Sequence, residues 1–446
     1  MVSSTRVDLN LLKILSILAA VMVTSMFFFP FEFNAFPGMN TKKAMAAVAL
    51  VILLFQMVHQ RSLTVSKEFI YISILAGLVS ICGMIAVTYN NTTDYAYATY
   101  ITSAWVWWGA AYTACTFIRW VHGRIDIPLV INYLAAVCFI QCCLALAIDL
   151  NPAFKQWVMS IFATGDMYFE RGHVQRMFGI GCALDVAGIR FGLVLVAMFF
   201  MKMQRKNDRW YQDLLFYFVF FFILVVGNMI GRTTIVGVGV AFLYLTFLSL
   251  RQFRRIEKRY VNLWKSALLI LLVFVPMIVY FYQTNTRLRE NFRFGFEGFF
   301  SLIEKGDFNY TSNDALKEMY VWPDNFKTWV IGDGYFDNPI YTDPYYTGEV
   351  TRGFYKNSDV GYVRFIFYFG LIGLVVFSFY MIQVCMVCRK KHPEWRTLIL
   401  LLLAVHFIVW LKVATDTFLM FALFLCINEN DNEYENEASL SHSCYV

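Results

Sequence analysis

The feature that most constrains this chain is a succession of apolar runs, each close to the length of a membrane span, separated by short clusters of cations. A helix needs roughly 20 mainly apolar residues to cross the hydrocarbon core of a bilayer. Twelve such runs can be read: Leu11 to Phe29, Ala44 to Val58, Phe69 to Val87, Tyr97 to Phe117, Pro128 to Leu150, Ala183 to Met201, Leu214 to Met229, Thr234 to Leu250, Ser266 to Tyr282, Gly361 to Val387, Thr397 to Leu411 and Thr417 to Ile427. The last two are short, and only the polar stretch Lys412 to Asp416 separates them. They read as a tight re-entry, with one long tilted span as the alternative. Composition agrees: 59% of the 446 residues are hydrophobic and 15% charged, where a soluble domain is nearer a quarter charged. The net charge of +6 does not indicate nucleic acid, because the cations fall between apolar runs, as membrane topology requires.

The expectation is an all-α polytopic integral membrane protein of about 12 transmembrane helices. The first run is followed by Phe27, Phe28, Phe29 and Pro30 where a signal peptide would carry small residues, so it reads as an uncleaved helix. Loops after even-numbered runs hold the cations: Arg61 and Lys67; Arg119 and Arg124; Lys202, Arg205, Lys206 and Arg209; six between Arg251 and Lys265; and Arg389, Lys390, Lys391 and Arg396. By the positive-inside rule these loops and both termini are cytoplasmic. Residues 1–282 would then hold spans one to nine with an outer loop at 151–182. Residues 283–358 would form a 76-residue outer loop between spans nine and ten, 359–427 the last three spans, and 428–446 an acidic inner tail.

A loop of 76 residues carries function or structure of its own. It mixes aromatics with charges, Asn313 to Trp322 could form an amphipathic helix ended by Pro323, and Gly332, Asp333 and Gly334 mark a turn. The Cys385/Cys388 pair stands without a second pair or nearby His ligands, so neither a metal nor a cofactor is expected.

Ionisable residues at membrane depth are costly and tend to line cavities or bind substrate. Asp185, Arg190, Arg232, Asp359, Arg364, Lys412 and Asp416 all fall at the expected outer ends of helices. With Arg171, Arg176, Arg287, Arg289 and Arg293 in the outer loops, cations gather on the side where topology disfavours them. The arginine fork pairs with phosphate oxygens, which suits a phosphate or pyrophosphate group. Arg364 and Lys412 could instead snorkel to the interface. Arg232, set among Asn228, Gly231, Thr233 and Thr234 in a tight outer turn, has no topological reason to be there.

The stretch Gly227-Asn228-Met229-Ile230-Gly231-Arg232-Thr233-Thr234 is similar to the small-residue and arginine turn of bacterial O-antigen polymerases and ligases. So are Trp329-Val330-Ile331-Gly332-Asp333-Gly334 and the run from Asn357 through Gly361, Tyr362 and Gly370 to Gly373. The layout also resembles that superfamily, with the longest loop late in the chain. Its ligases carry a His-Asn pair where this chain has Ser358 and Asp359, so the resemblance is closer to a polymerase.

The resemblance implies a metal-independent glycosyltransferase with a glycosyltransferase C-like membrane fold, multi-pass in the bacterial inner membrane. It would join undecaprenyl-pyrophosphate-linked oligosaccharide repeats on the periplasmic face, for O-antigen, capsule or exopolysaccharide, with a chain-length regulator as a further partner and no nucleic acid. Arg232 and Arg289 would hold the pyrophosphate, with Arg176, Arg190, Arg287, Arg293 and Arg364 assisting in substrate binding. Asp359 would act as base or orient the acceptor hydroxyl, unless it is an ion-pair partner. Trp322, Tyr335, Tyr345 and Tyr346 could stack on sugars or pack the loop's own core. A ligase moving polymer to a lipid core, or a flippase for lipid-linked oligosaccharide, stays open.

Overall fold

A computed structural model describes residues 2–61, 65–163, 176–204, 210–251, 268, 272, 275–307, 311–339 and 353–428. Among them the secondary structure is helical, with isolated β-bridges and no strand. In chain order the helices are α1 (Val2–Phe28), α2 (Thr41–Gln60), α3 (Lys67–Asn90), α4 (Tyr100–His122), α5 (Ile127–Leu150), α6 (Pro152–Ile161), α7 (Leu184–Gln204), α8 (Trp210–Ile230) and α9 (Thr234–Arg251). There follow α10 (Thr286–Gly295), α11 (Glu297–Lys305), α12 (Thr311–Glu318), α13 (Phe326–Val330), α14 (Gly361–Lys391), α15 (Arg396–Val409) and α16 (Phe418–Cys426).

Seven of these, in α1, α2, α3, α5, α7, α8 and α14, are long and apolar enough to cross a membrane, so the chain is a membrane-embedded helical protein. The other expected spans take different forms. The fourth is the Tyr-, Trp- and Thr-rich α4, and the apolar part of the eighth is the shorter Thr234–Leu248. Of the ninth, residues 275–282 are helical and most of the remainder lies outside the described residues. The last two are separate helices, α15 and α16, and not one long tilted span. The acidic tail, Arg171, Tyr345 and Tyr346 fall outside the described residues.

The chain divides into two compact units: Met1–Met45, Ala110–Phe300 and Cys426–Val446 in the first, Ala46–Gly109 and Ser301–Leu425 in the second. In the first, α7 packs on α5, α8 and α9, and Phe191, Leu193, Val194 and Leu195 are fully buried. The α7 backbone meets α9 through Gly192 and, one helical turn earlier, the turn before α9 through Gly188. A Cβ on Gly237 would stand 2.2 Å from the Gly192 carbonyl oxygen, and one on Gly188 2.3 Å from Thr233 Oγ1. Lipid supplies no hydrophobic drive between helices, so close backbone approach through small residues must hold them together.

The second unit is built on α14 against α3. α14 breaks at Phe369 and Gly370, the latter at φ +69° and ψ −175°. A break in a helix strips partners from the carbonyls one turn earlier. Here those carbonyls belong to Phe367 and Tyr368, and the loop after α13 supplies the donors: Asp333 N–H to Phe367 O (2.6 Å) and Gly334 N–H to Tyr368 O (3.0 Å). Lys327 Nζ locks the loop by donating to Asp333 Oδ1 (2.7 Å) and to Asn90 Oδ1 of α3 (2.7 Å). The Tyr368 hydroxyl accepts from the backbone N–H groups of Tyr97 and Ala98 and donates to the Asp94 carbonyl.

The expected helix Asn313 to Trp322 is observed as α12, ending at Glu318. Pro323 has no N–H to offer the Met319 carbonyl, and the Ser358 hydroxyl donates to it instead (2.6 Å).

Candidate functional site

In the first unit, the Gly231–Thr233 turn joining α8 to α9 holds Arg232. Thr233 Oγ1 donates to the Asp185 carbonyl (2.9 Å) and Thr234 Oγ1 to the Gly231 carbonyl (2.8 Å), so both threonines fix the turn's backbone. The buried Asn228 donates through Nδ2 to the Gly295 carbonyl (2.5 Å), fastening the α10–α11 corner to the end of α8. Gly295 lies so close that a Cβ there would be 3.3 Å from the Asn228 backbone.

That corner brings Phe294 under the Arg232 guanidinium, with 4.1 Å from the guanidinium carbon to the ring centroid. The Arg176 guanidinium lies 5.0 Å from the centre of the same ring. Two guanidiniums therefore share one aromatic ring, an attraction of about 0.5–2 kcal/mol each that opposes their mutual repulsion. Glu297, in the first turn of α11, receives Arg232 Nη1 at 2.7 Å; the two side chains are 15% and 26% exposed. Paired positive charge that is partly open to solvent and presented by planar donors is an anion-binding arrangement.

The other expected arginines do different things. Arg190, between Gly188 and Gly192, is buried and donates to the Phe28 carbonyl at the end of α1 (2.7 Å), with its guanidinium carbon 5.7 Å from the centre of the Phe29 ring. Arg287 donates to the Asp149 carbonyl (2.7 Å). Arg289 donates to the carbonyls of Tyr282 and Gln283 (2.9 and 3.0 Å), capping the helical segment before α10. Arg293 reaches the Tyr282 hydroxyl (3.2 Å) and lies over Phe300.

In the second unit, Arg364 is only 4% exposed. It pairs with Asp337 at 2.6 Å and with Asp359 at 3.8 Å. Its guanidinium lies 3.6 Å from the Phe336 centroid and 4.1 Å from that of Phe354. Snorkelling does not describe a side chain so enclosed. Asp359 thus stands as an ion-pair partner in this geometry. Tyr335 is buried against Tyr355, Val360, Val363 and Phe367, and the half-exposed Trp322 stacks on Trp329 at 5.8 Å. Cys385 and Cys388 are buried within α14.

Sequence reasoning missed Phe294, Glu297 and the Asn228–Gly295 clasp. The visible signal was the three-residue step from Phe294 to Glu297, which places one in the last turn of α10 and the other at the first residue of α11. Among the described residues no group of three or more His, Cys, Asp or Glu is arranged to hold a metal ion. Comparison with protein-family models, with curated proteins and with solved structures finds no match.

Proposed function

We propose that this chain is a polysaccharide polymerase of the bacterial inner membrane. It joins oligosaccharide repeats carried on undecaprenyl pyrophosphate at the periplasmic face. About a dozen spans, with cytoplasmic termini and the 283–358 segment outside, make the topology that fits this reading, following the cation distribution. The observation that carries it is the pair Arg176 and Arg232 on the Phe294 ring, with Arg232 held in a turn fixed by two threonines.

The chemistry asks little beyond this. The acceptor's sugar hydroxyl attacks the anomeric carbon of the donor, the carbon–oxygen bond to pyrophosphate breaks, the electron pair leaves with the diphosphate, and the hydroxyl proton passes to the departing diphosphate. Pyrophosphate is already a good leaving group, so the protein must mainly orient two lipids and neutralise departing negative charge. The resemblance around Gly227 to Thr234 and Trp329 to Gly334, and the Ser358-Asp359 pair in place of His-Asn, favour polymerase over ligase.

The test is surface polysaccharide from a strain deleted for the protein and complemented with wild type or Arg232→Ala. Expected is a ladder restored by the wild type and a single repeat on its acceptor with Arg232→Ala at equal protein level. An unaltered chain length in Arg232→Ala sinks the assignment. Polymer accumulating on the carrier would make the protein a ligase, and repeats stranded in the cytoplasm would make it a flippase.

A further inference from the structure

Resting on the diphosphate reading of the Arg232 site, we propose that Glu297 is a built-in competitor for that site. Its carboxylate takes the arginine's anion-facing edge when no diphosphate is bound, and so sets how readily undecaprenyl pyrophosphate leaves after transfer. Glu297 Oε2 stands 2.7 Å from Arg232 Nη1, the separation of a close ion pair. The contact engages the charge that a phosphate oxygen would need, on a guanidinium that also lies 4.1 Å from the centre of the Phe294 ring. Ligand and carboxylate thus compete for the charge of a single cation.

The position of Glu297 suits exchange better than permanent bracing. It sits at the first residue of α11, just beyond the corner that Asn228 fastens through the Gly295 carbonyl, so the backbone beneath it is fixed while its side chain stays partly open. A carboxylate there is further favoured by the helix N-terminus, which gives it a stable place once displaced from Arg232. A polymerase must bind its donor diphosphate and then release the spent carrier in every cycle, so an anion that re-forms its pair with Arg232 drives that release. No bond is made or broken in the exchange. It is a swap of one anion for another on Arg232, and a monoanion gains less from the swap than a diphosphate.

The competitor role predicts a sign that a bracing role does not. Removing the charge with Glu297→Gln in the purified full-length protein should tighten binding of undecaprenyl pyrophosphate about tenfold, the effect of a pair between exposed and buried strength. Product inhibition should rise and multiple-turnover lengthening should fall. Glu297→Ala should move affinity in the same direction and serves if the Gln variant fails to accumulate. In an Arg232→Ala background, Glu297→Gln should give no gain, since the competition needs that arginine. Unchanged or weaker binding in both Glu297 variants while the wild type binds overturns the inference alone, as does a gain that persists without Arg232. A wild type that binds no undecaprenyl pyrophosphate overturns the diphosphate reading and the inference with it.

Discussion

Gly370→Ala tests the junction between α14 and the loop that docks on it. At φ +69° and ψ −175°, Gly370 lies in a region that is essentially glycine-only, where a side chain costs of order 1–3 kcal/mol. The added methyl would also stand 2.1 Å from the Val330 carbonyl oxygen, a backbone atom that cannot swing aside. Relief requires the loop to withdraw, which breaks the bonds from Asp333 and Gly334 to the Phe367 and Tyr368 carbonyls. Each buried carbonyl so orphaned costs about 1–3 kcal/mol. The total, roughly 3–9 kcal/mol, is a large share of a typical stability of about 5–15 kcal/mol. For a unit of roughly 150–250 residues, a loss of even 3 kcal/mol lowers the melting midpoint by roughly 6–12 °C. The assay is thermal unfolding of purified protein in detergent, with Gly239→Ala as control. Gly239 is helical and a Cβ there would meet nothing within 4 Å, so that change should leave the midpoint equal or raise it slightly. Equal midpoints for Gly370→Ala and wild type would refute the idea that loop docking holds the break.

Further outcomes follow from the packing. Gly192→Leu should prevent α7 and α9 from meeting where the Gly237 backbone touches Gly192, and expressed protein should fall sharply; normal expression with full polymer length would contradict this. Arg364→Ala leaves Asp337 and Asp359 without their shared cation and should cost up to about 3–5 kcal/mol, less to the extent that the mostly exposed Asp337 is solvated. Arg364→Lys should recover little of it, because an ammonium cannot fill the planar slot between Phe336 and Phe354. A melting midpoint for Arg364→Ala within a degree of wild type would count against both statements.

Helical class and the Arg232 turn were readable because both are local. Apolar runs longer than a soluble core helix announce α1, α3, α5 and α14, and an arginine between Gly231 and Thr233 needs an explanation wherever the turn lies. The pairing of Arg232 with Glu297 was not readable, since sixty-odd residues separate them and Glu297 looks like any other loop charge. The same holds for Arg364 and Asp337. Arg287 and Arg289 stood among the arginines expected to hold substrate, yet spend donors on backbone carbonyls, a use that depends on where helices end. The break in α14 was hidden most thoroughly. Gly370 and Gly373 sit in a continuous apolar run, and glycine is common in membrane helices that do not break.

That break also orders the events of biogenesis. The loop bearing Asp333 and Gly334 is synthesised before α14, but its partners arise only when Phe367 and Tyr368 have emerged. A newly inserted segment alone in lipid can satisfy those carbonyls only by continuing as one unbroken helix. The insertion machinery therefore meets residues 361–391 as a single apolar helical segment. The bend at Phe369 and Gly370 is created afterwards, when the waiting loop trades its own donors for the helix's internal bonds. Maturation of the second unit is thus an exchange of donors on two carbonyls, and a chain whose 327–334 loop is deleted should insert residues 361–391 yet leave them unbent.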